Sequence, residues 1–457
     1  MRLKKTIEVL FIVGIFFLPF NEYEGISLLG EYKSEAAALF FLFSFLLICF
    51  YSVYTNKVYL PYKNKIFIVL VIFLASCFIS IILNLYNIIG FRFKQTPGII
   101  RFIRQYFSTI LSTLVFFQIY WFVLKDKTIK AITLLIRKTF FISFVFVTFY
   151  GIIETLISYF GLYFLKPVLD LFNYLPFIEV DYHAEGRISS VSYEPPFLAI
   201  YLITIAGWMF SYILTSSSKF RYIPTLLILI LTFFSGSRTA LIVITIQLII
   251  FLVYLYKYYG YKHRILISLK YFTIIFFFVG IFAGIKFNKA ILEKADSLDF
   301  IGNIKSNVSN RSRLGIQYTS LLIFVKNPIF GVGFGQQAYI ARKLYPGWVT
   351  RDNYEFEIWY NNQREKSFPP GYNLYIRLLA ELGIFGFLIF AYFQFLMLKE
   401  AKRLSRFKNK DFQILGIILF VTTIGLFINW MQIDTFRIYG VWISLAILIK
   451  TSSYKYE

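Results

Sequence analysis

Apolar runs long enough to cross a lipid bilayer recur from one end of this chain to the other, and short basic stretches separate them. They fall at about 7–20, 36–54, 66–88, 106–124, 139–161, 196–215, 222–236, 239–258, 265–285, 373–397, 412–430 and 438–450. The first, seventh and last are short. No water reaches the hydrocarbon to satisfy backbone N–H and C=O groups, so each run must close its own hydrogen bonds as a helix. The sequence therefore predicts an all-α polytopic membrane protein with about twelve transmembrane helices. Alternating strand patterns, a soluble domain, a low-complexity linker and an internal repeat are not found in it, so residues 1–457 read as one integral membrane domain.

Charge fixes the orientation. The 47 Lys+Arg against 24 Asp+Glu leave a formal +23, an excess that in a soluble protein would suggest nucleic acid. With 58% of residues hydrophobic and 16% charged, lipid is the better explanation. Arg2, Lys4 and Lys5, then Lys57, Lys63 and Lys65, residues 125–138, Lys219 with Arg221, residues 257–264 and residues 399–410 all fall on one side of the span count. Positive charge holds short loops in the cytoplasm. Both termini are thus expected inside, and 21–35, 89–105, 162–195, 235–238, 286–372 and 431–437 outside, in a multi-pass protein of the bacterial inner (cytoplasmic) membrane. The first 20 residues have the basic start and apolar run of a signal peptide, but residues 18–21 offer no small-residue cleavage site, so they count as the first span. Cys49 and Cys77 lie inside apolar runs, which argues against a disulfide framework. His183 and His263 are far apart, and no metal-ligand spacing appears.

Two outer features depart from this plan. Arg92, Lys94, Arg101 and Arg104 cluster where positive charge should be scarce. They either anchor to lipid head groups, mark a misdrawn topology, or bind an anionic ligand; Arg101 and Arg104, three apart, can address one ligand together. The loop at 286–372 is also too long for a connector. Within it, Leu314, Tyr318, Leu321, Leu322 and Val325 recur at helical spacing, and Asn327-Pro328 ends the pattern. An amphipathic helix on the membrane surface is expected there.

Four segments on the outer side carry unusual polar residues. They are Arg187-Ile-Ser-Ser-Val-Ser-Tyr-Glu194-Pro195, Ser235-Gly-Ser-Arg238, Arg313 through Gly331-Val-Gly333-Phe-Gly335, and Gly371-Tyr372-Asn373-Leu-Tyr375. With the stretch from Arg377 to Gly386, their order and spacing resemble the O-antigen polymerase and O-antigen ligase superfamily of bacterial envelope glycosyltransferases. The resemblance implies the C-type membrane glycosyltransferase fold. It also implies transfer of a glycan from an undecaprenyl pyrophosphate carrier to a hydroxyl acceptor, with neither a metal nor another cofactor.

The residues can be read for that chemistry directly. A departing pyrophosphate needs its charge stabilised, and guanidinium groups do this bidentately. Arg101, Arg104, Arg187, Arg238, Arg311 and Arg313 are available outside, although any one can instead cap a helix or touch a head group. Arg238 stands in a polar break between two apolar runs, which is also what a short turn needs. Glu194, followed by Pro195 and Pro196 at the start of a span, can act as general base or simply complement the helix dipole. Ligases of the superfamily tend to carry His where this chain has Tyr372 before Asn373, and neutral Tyr is a poor base near pH 7. That departure favours polymerisation and shifts the base role to Glu194, Asp352, Glu355 or Glu357. Tyr372 then orients or stacks on a sugar, or anchors at the interface. Gly331, Gly333 and Gly335 follow no strand, so a dinucleotide loop is rejected in favour of a tight turn. Arg377 and Glu381 have the spacing of an intrahelical ion pair.

The expected function is thus a polymerase joining undecaprenyl-pyrophosphate-linked repeat units into O-antigen or capsular or exopolysaccharide, with a chain-length regulator and a flippase as possible partners. Ligation of finished glycan to a lipid or protein is the second enzymatic reading. A flippase for the same lipid-linked glycan is the third, but it would need charge along a route through the bilayer, whereas this chain concentrates its polar residues at the outer mouth.

Overall fold

Helices form wherever apolar residues run on at membrane length, and their ends are set by polar caps and by snorkelling cations. The structure, a computed structural model, describes residues 2–180, 187–259, 308–362, 364 and 368–454. Its principal helices in chain order are α1 (Arg2–Phe16), α2 (Ala36–Thr55), α3 (Lys65–Leu83), α4 (Gly98–Leu124), α5 (Ile129–Ser158) and α6 (Pro195–Thr215). There follow α7 (Ile223–Phe234), α8 (Arg238–Tyr259), α9 (Val308–Lys326), α10 (Leu374–Leu404), α11 (Lys410–Asn429) and α12 (Tyr439–Thr451). Among the described residues 8 helices are long and apolar enough to cross a membrane, whereas α1, α7 and α12 are shorter, at 15, 12 and 13 residues. The protein is an all-α polytopic membrane protein, as its hydropathy predicts. The expected span at 265–285, His183, His263 and residues 286–307 of the outer loop lie outside the described residues.

Several helices outrun their apolar stretches. α5 starts at Ile129 and not near 139, with the Thr128 hydroxyl accepting from Ala131 N. Its first turns carry Lys130, Arg137 and Lys138, long cationic side chains of the kind that can extend a helix past its apolar run by snorkelling. Arg137 sits 4.7 Å over the Tyr212 ring and donates to Thr215 Oγ1. α4 likewise begins at Gly98, which places Arg101 and Arg104 on its first turns.

At the centre lies α6, apolar on nearly every side and buried over 78% of its span window, as expected of a helix enclosed by others. α7, α8 and α11 pack around it. Gln247 of α8 donates to the carbonyls of Ile203 and Val421, so one buried amide ties three helices. α2 is peripheral.

Helix ends sort into two faces. On one, Lys127 pairs with Glu8 at 2.6 Å, Asn64 donates to Ser452 Oγ, and Arg403 donates to the Tyr454 carbonyl. On the other, Ser192 Oγ donates to Pro19 O, Leu374 N to Trp430 O, and Arg437 to Glu35. The second face gathers the described parts of the segments that the span count puts outside.

α9 forms where the spacing predicts it, ending before Asn327-Pro328. Its apolar residues Leu314, Tyr318, Leu321 and Val325 are exposed, while Asn310, Ser312, Gly315, Thr319 and Ser320 are buried against the protein. The packed face is mostly small and polar, with Ile316 and Ile323 buried among these residues, and an apolar stripe is left exposed. The chain then docks into a break in α10. Gly383 has φ +64° inside that helix, which frees carbonyls and amides that the 328–333 stretch satisfies. Val332 N and Gly333 N donate to the carbonyls of Ala380 and Glu381, and Ile384 N and Phe385 N donate to Pro328 and Ile329. Broken helices are tolerated at membrane depth when another segment completes the ladder. The glycine turn is therefore more than a tight turn. It repairs a helix.

A methyl group at Gly383 would lie 2.3 Å from the Ile329 carbonyl oxygen. Gly383→Ala is expected to destabilise the protein by roughly 2–4 kcal/mol through strain and overpacking. Gly347→Ala, where an added Cβ meets nothing within 4 Å, should stay within about 0.5 kcal/mol. Thermal unfolding in detergent compares the two, and equal stability of both variants would refute the account of the break.

Candidate functional site

The start of α10 fixes the first group of the site. Asn373 is its N-cap, with the side-chain oxygen accepting from Ile376 N at 3.1 Å. Just before it, Gly371 N donates to Asp434 Oδ2 at 2.8 Å. Between them Tyr372 takes φ +55°, a left-handed conformation that costs a non-glycine residue free energy and is held by its surroundings. The guanidinium of Arg313, from α9, lies 5.0 Å over the Tyr372 ring. Burial pushes the Tyr372 hydroxyl up to about 12, with the charges of Glu355, Asp434 and Glu194 adding to the rise and Arg313 opposing it. Tyr372, Arg313, Glu355, Asp434 and Glu194 therefore share one electrostatic environment.

A second group comes from the turn between α7 and α8. Gly236 has φ +66°, Ser235 Oγ donates to Thr232 O, and Ser237 Oγ accepts from Ala240 N. This turn presents Arg238 at the head of α8, where Arg313 and Arg187 are the charges that act on it. Arg187 lies against Gly236 and donates from Nε to Ser235 O at 3.4 Å. Three guanidinium groups from widely separated segments thus converge. Guanidinium groups gathered in this way suit the oxygens of a polyanion.

Glu194 occupies the N-cap position of α6 with Pro195 following, but its side chain makes no cap hydrogen bond. Its carbonyl accepts from Phe197 N and Leu198 N. The carboxylate is exposed and not consumed in capping, and it is near enough to Tyr372 to act on its hydroxyl.

The remaining predicted residues are placed elsewhere. Arg311 donates from Nη2 to the Asp352 carbonyl at 2.6 Å and so ties α9 to the outer loop. Arg101 stacks at 4.1 Å on Phe368, and Arg104 is exposed. Both act on Tyr339, whose hydroxyl burial nonetheless pushes up to about 12. They form a flank of the site beside an aromatic cluster of Phe93, Tyr339, Tyr360 and Phe368. The Nε atoms of Arg101, Arg311 and Arg313 are buried with no hydrogen-bond partner among the described residues, donors in a place where such groups are normally satisfied.

Beneath both groups runs a buried ion network. Arg377 Nε meets Glu381 Oε2 at 3.2 Å, Nη1 meets Asp434 at 2.8 Å on the carbonyl and 3.3 Å on Oδ2, and Nη2 donates to Gln105 Oε1 at 2.9 Å. Gln105 and Ser108 donate in turn to Glu31. Arg437 pairs with Glu35 at 2.6 Å, and Tyr439 donates to the same carboxylate. The ion pair expected between Arg377 and Glu381 is present, but sequence reasoning missed its partners Asp434, Gln105, Glu31, Arg437 and Glu35. It missed Glu154 as well, an acid within the fifth apolar run that its position alone could have flagged. Among the described residues no group of three His, Cys, Asp or Glu side chains is arranged to hold a metal ion.

The O-antigen ligase family matches residues 223–391. That stretch contains α7, α8, α9, the outer loop and the first half of α10, and with them Arg238, Arg313, Tyr372 and Asn373. The resemblance to the O-antigen polymerase and ligase superfamily holds over it, and glycan transfer of that general type is the activity the likeness supports. No curated protein matches the chain.

Two outcomes follow from the geometry. Asp434→Asn removes one of two carboxylates from buried Arg377 and is expected to cost roughly 1–3 kcal/mol, seen as a lower melting temperature in detergent; an unchanged melt would remove Asp434 from the network's essential members. For Tyr372 the folded value of about 12 exceeds the ordinary tyrosine value of 10.0. Its contribution is complete below pH 10 and is lost as pH rises towards 12. Tyr372→Phe should therefore lose less stability than the parent between pH 8 and pH 11, and an equal loss would contradict the burial of the hydroxyl.

Proposed function

We propose that this protein is a polysaccharide polymerase that joins undecaprenyl-pyrophosphate-linked oligosaccharide repeat units at the outer face of the cytoplasmic membrane. The observation that carries the reading is the convergence of Arg187, Arg238 and Arg313 beside Tyr372, with the Glu194 carboxylate uncommitted to any cap. A hydroxyl of the acceptor sugar attacks the anomeric carbon of the donor while Glu194 takes its proton. The bond from that carbon to the pyrophosphate oxygen breaks, with inversion. The arginines hold the charge that develops on the leaving group, a role that asks for no metal. Arg101 and Arg104 extend the cationic surface along the flank, and Asn373 fixes the backbone that carries Tyr372.

Tyr372 supports polymerisation over ligation. A hydroxyl pushed up to about 12 is no base near neutrality, so position 372 cannot do what a histidine would do there. Its ring lies under Arg313, and an aromatic residue with a polar tip is suited to orient a sugar. Ligation to a lipid or protein acceptor is favoured instead by the ligase description of the matching family. The outer location and cytoplasmic termini rest on the basic loops gathered at the opposite face. The α9 helix, with its apolar stripe turned outwards, fits a place at the membrane surface.

Purified protein given a matched lipid-linked repeat unit should make longer lipid-linked chains. Arg238→Ala and Arg313→Ala should each reduce elongation by about 100-fold or more with membrane insertion intact. Normal elongation by both variants would sink the assignment. Transfer to a lipid or protein acceptor without elongation would select ligation, and movement of the lipid across the bilayer without either would select a flippase.

A further inference from the structure

Glu154 stands in α5 within an otherwise apolar stretch and is 3% exposed. An acid at such a place is costly unless fixed dipoles meet it. Here its two carboxylate oxygens accept separately from two successive backbone amides, Ser189 N at 3.1 Å and Ser190 N at 2.7 Å. Successive N–H groups that close on one carboxylate form an anion-binding nest. The nest is shaped by Ser190, which takes φ +56° although it is not glycine, and whose hydroxyl donates to Val147 O. The carboxylate and the strained serine account for each other.

What the nest holds is the 187–194 segment. One residue before it, Ile188 N donates to the Phe234 carbonyl at 3.2 Å, and Tyr159 OH donates to the same oxygen at 3.1 Å. Phe234 immediately precedes the 235–237 turn that presents Arg238. Beyond the nest, Ser192 Oγ is bound to Pro19 O and Tyr193 N to Asn21 Oδ1, leading directly to Glu194. One buried carboxylate therefore stands at the point where the chains carrying Arg187, Arg238 and Glu194 meet.

We propose that Glu154 is a positioning residue for glycan transfer, which sets Glu194 and Arg187 in register with Arg238 by clamping the amides of Ser189 and Ser190. The inference rests on the glycan-transfer reading above. Only a carboxylate serves this nest: a glutamine accepts with one oxygen and turns an NH2 group against the other amide. The loss of one hydrogen bond shifts the segment by a fraction of its length, and displacements of that size at a reacting centre lower turnover far more than they lower binding.

The test uses full-length protein and Glu154→Gln, with two readouts. Elongation of a lipid-linked repeat unit should show kcat lowered about 100-fold with KM within about threefold of the parent. Deuterium exchange of the 187–194 amides should be at least about tenfold faster, with α6 unchanged. An unchanged kcat per folded molecule overturns the positioning role, and unchanged exchange overturns the clamp. Should the parent itself elongate nothing with a matched substrate, the functional reading fails, while the exchange result still decides the clamp. If Glu154→Gln does not fold, Glu154→Asp keeps the carboxyl group and withdraws it by one methylene, and the same two losses are expected. Full activity of Glu154→Asp, or collapse of both variants, overturns the proposal in favour of a purely structural acid.

Discussion

Arg377 is the charge around which the outer end of the molecule is assembled. It leaves α10 to meet Glu381 on its own helix, Asp434 in the connection between α11 and α12, and Gln105 on α4. A guanidinium taken out of water is tolerated only when every such partner is in place, because an uncompensated buried charge costs several kcal/mol. Segments far apart in sequence are thereby compelled to meet at one point. The demand passes on through Gln105 to Glu31, and through Arg437 to Glu35. Burial alone would make Arg437 easier to deprotonate, yet the carboxylates of Glu35 and Glu31 outweigh it and hold its pKa above the ordinary arginine value. The backbone of Gly371 is bound to the same Asp434, so the position of Tyr372 depends on this network as well as on the Asn373 cap beside it.

The two arginine assemblies of the outer face differ in kind. Arg377 and Arg437 are matched by carboxylates at hydrogen-bond distance, an arrangement that rigidifies. Arg187, Arg238 and Arg313 are brought near one another, and an aromatic ring and a backbone carbonyl are among their contacts. The first kind of arrangement builds a platform. The second concentrates positive potential where a dianionic group would find it.

Much of this was legible beforehand. Apolar length located the helices, because in lipid the backbone has no alternative, and counting them from the basic loops put the motifs on a common side, where Arg187, Arg238, Arg313 and Tyr372 do meet. Other features were hidden for physical reasons. Helix length at Ile129 and Leu404 depends on snorkelling cations, which hydropathy counts as breaks. The pairing of Arg377 with Gln105 or Asp434 spans so much sequence that no local pattern encodes it. In α9 the periodicity is visible but its sense is not, since spacing alone does not say whether the apolar stripe meets protein or lipid. Glu154 was readable as an oddity, although its purpose depends on the conformation of Ser190, which has no signature in a run of serines.

The repaired break in α10 also bears on how a bulky glycan could enter. The stretch at 328–333 is hydrogen-bonded into the helix on both sides of Gly383, at a level where no solvent stands ready to replace those bonds. A loop tethered in this way cannot lift as one flap. The anchor separates α9 on one side from the run towards Gly371 on the other. Arg313 lies on the α9 side of that anchor and Tyr372 on the far side, so the stacking of guanidinium on ring closes a second link between the two sides.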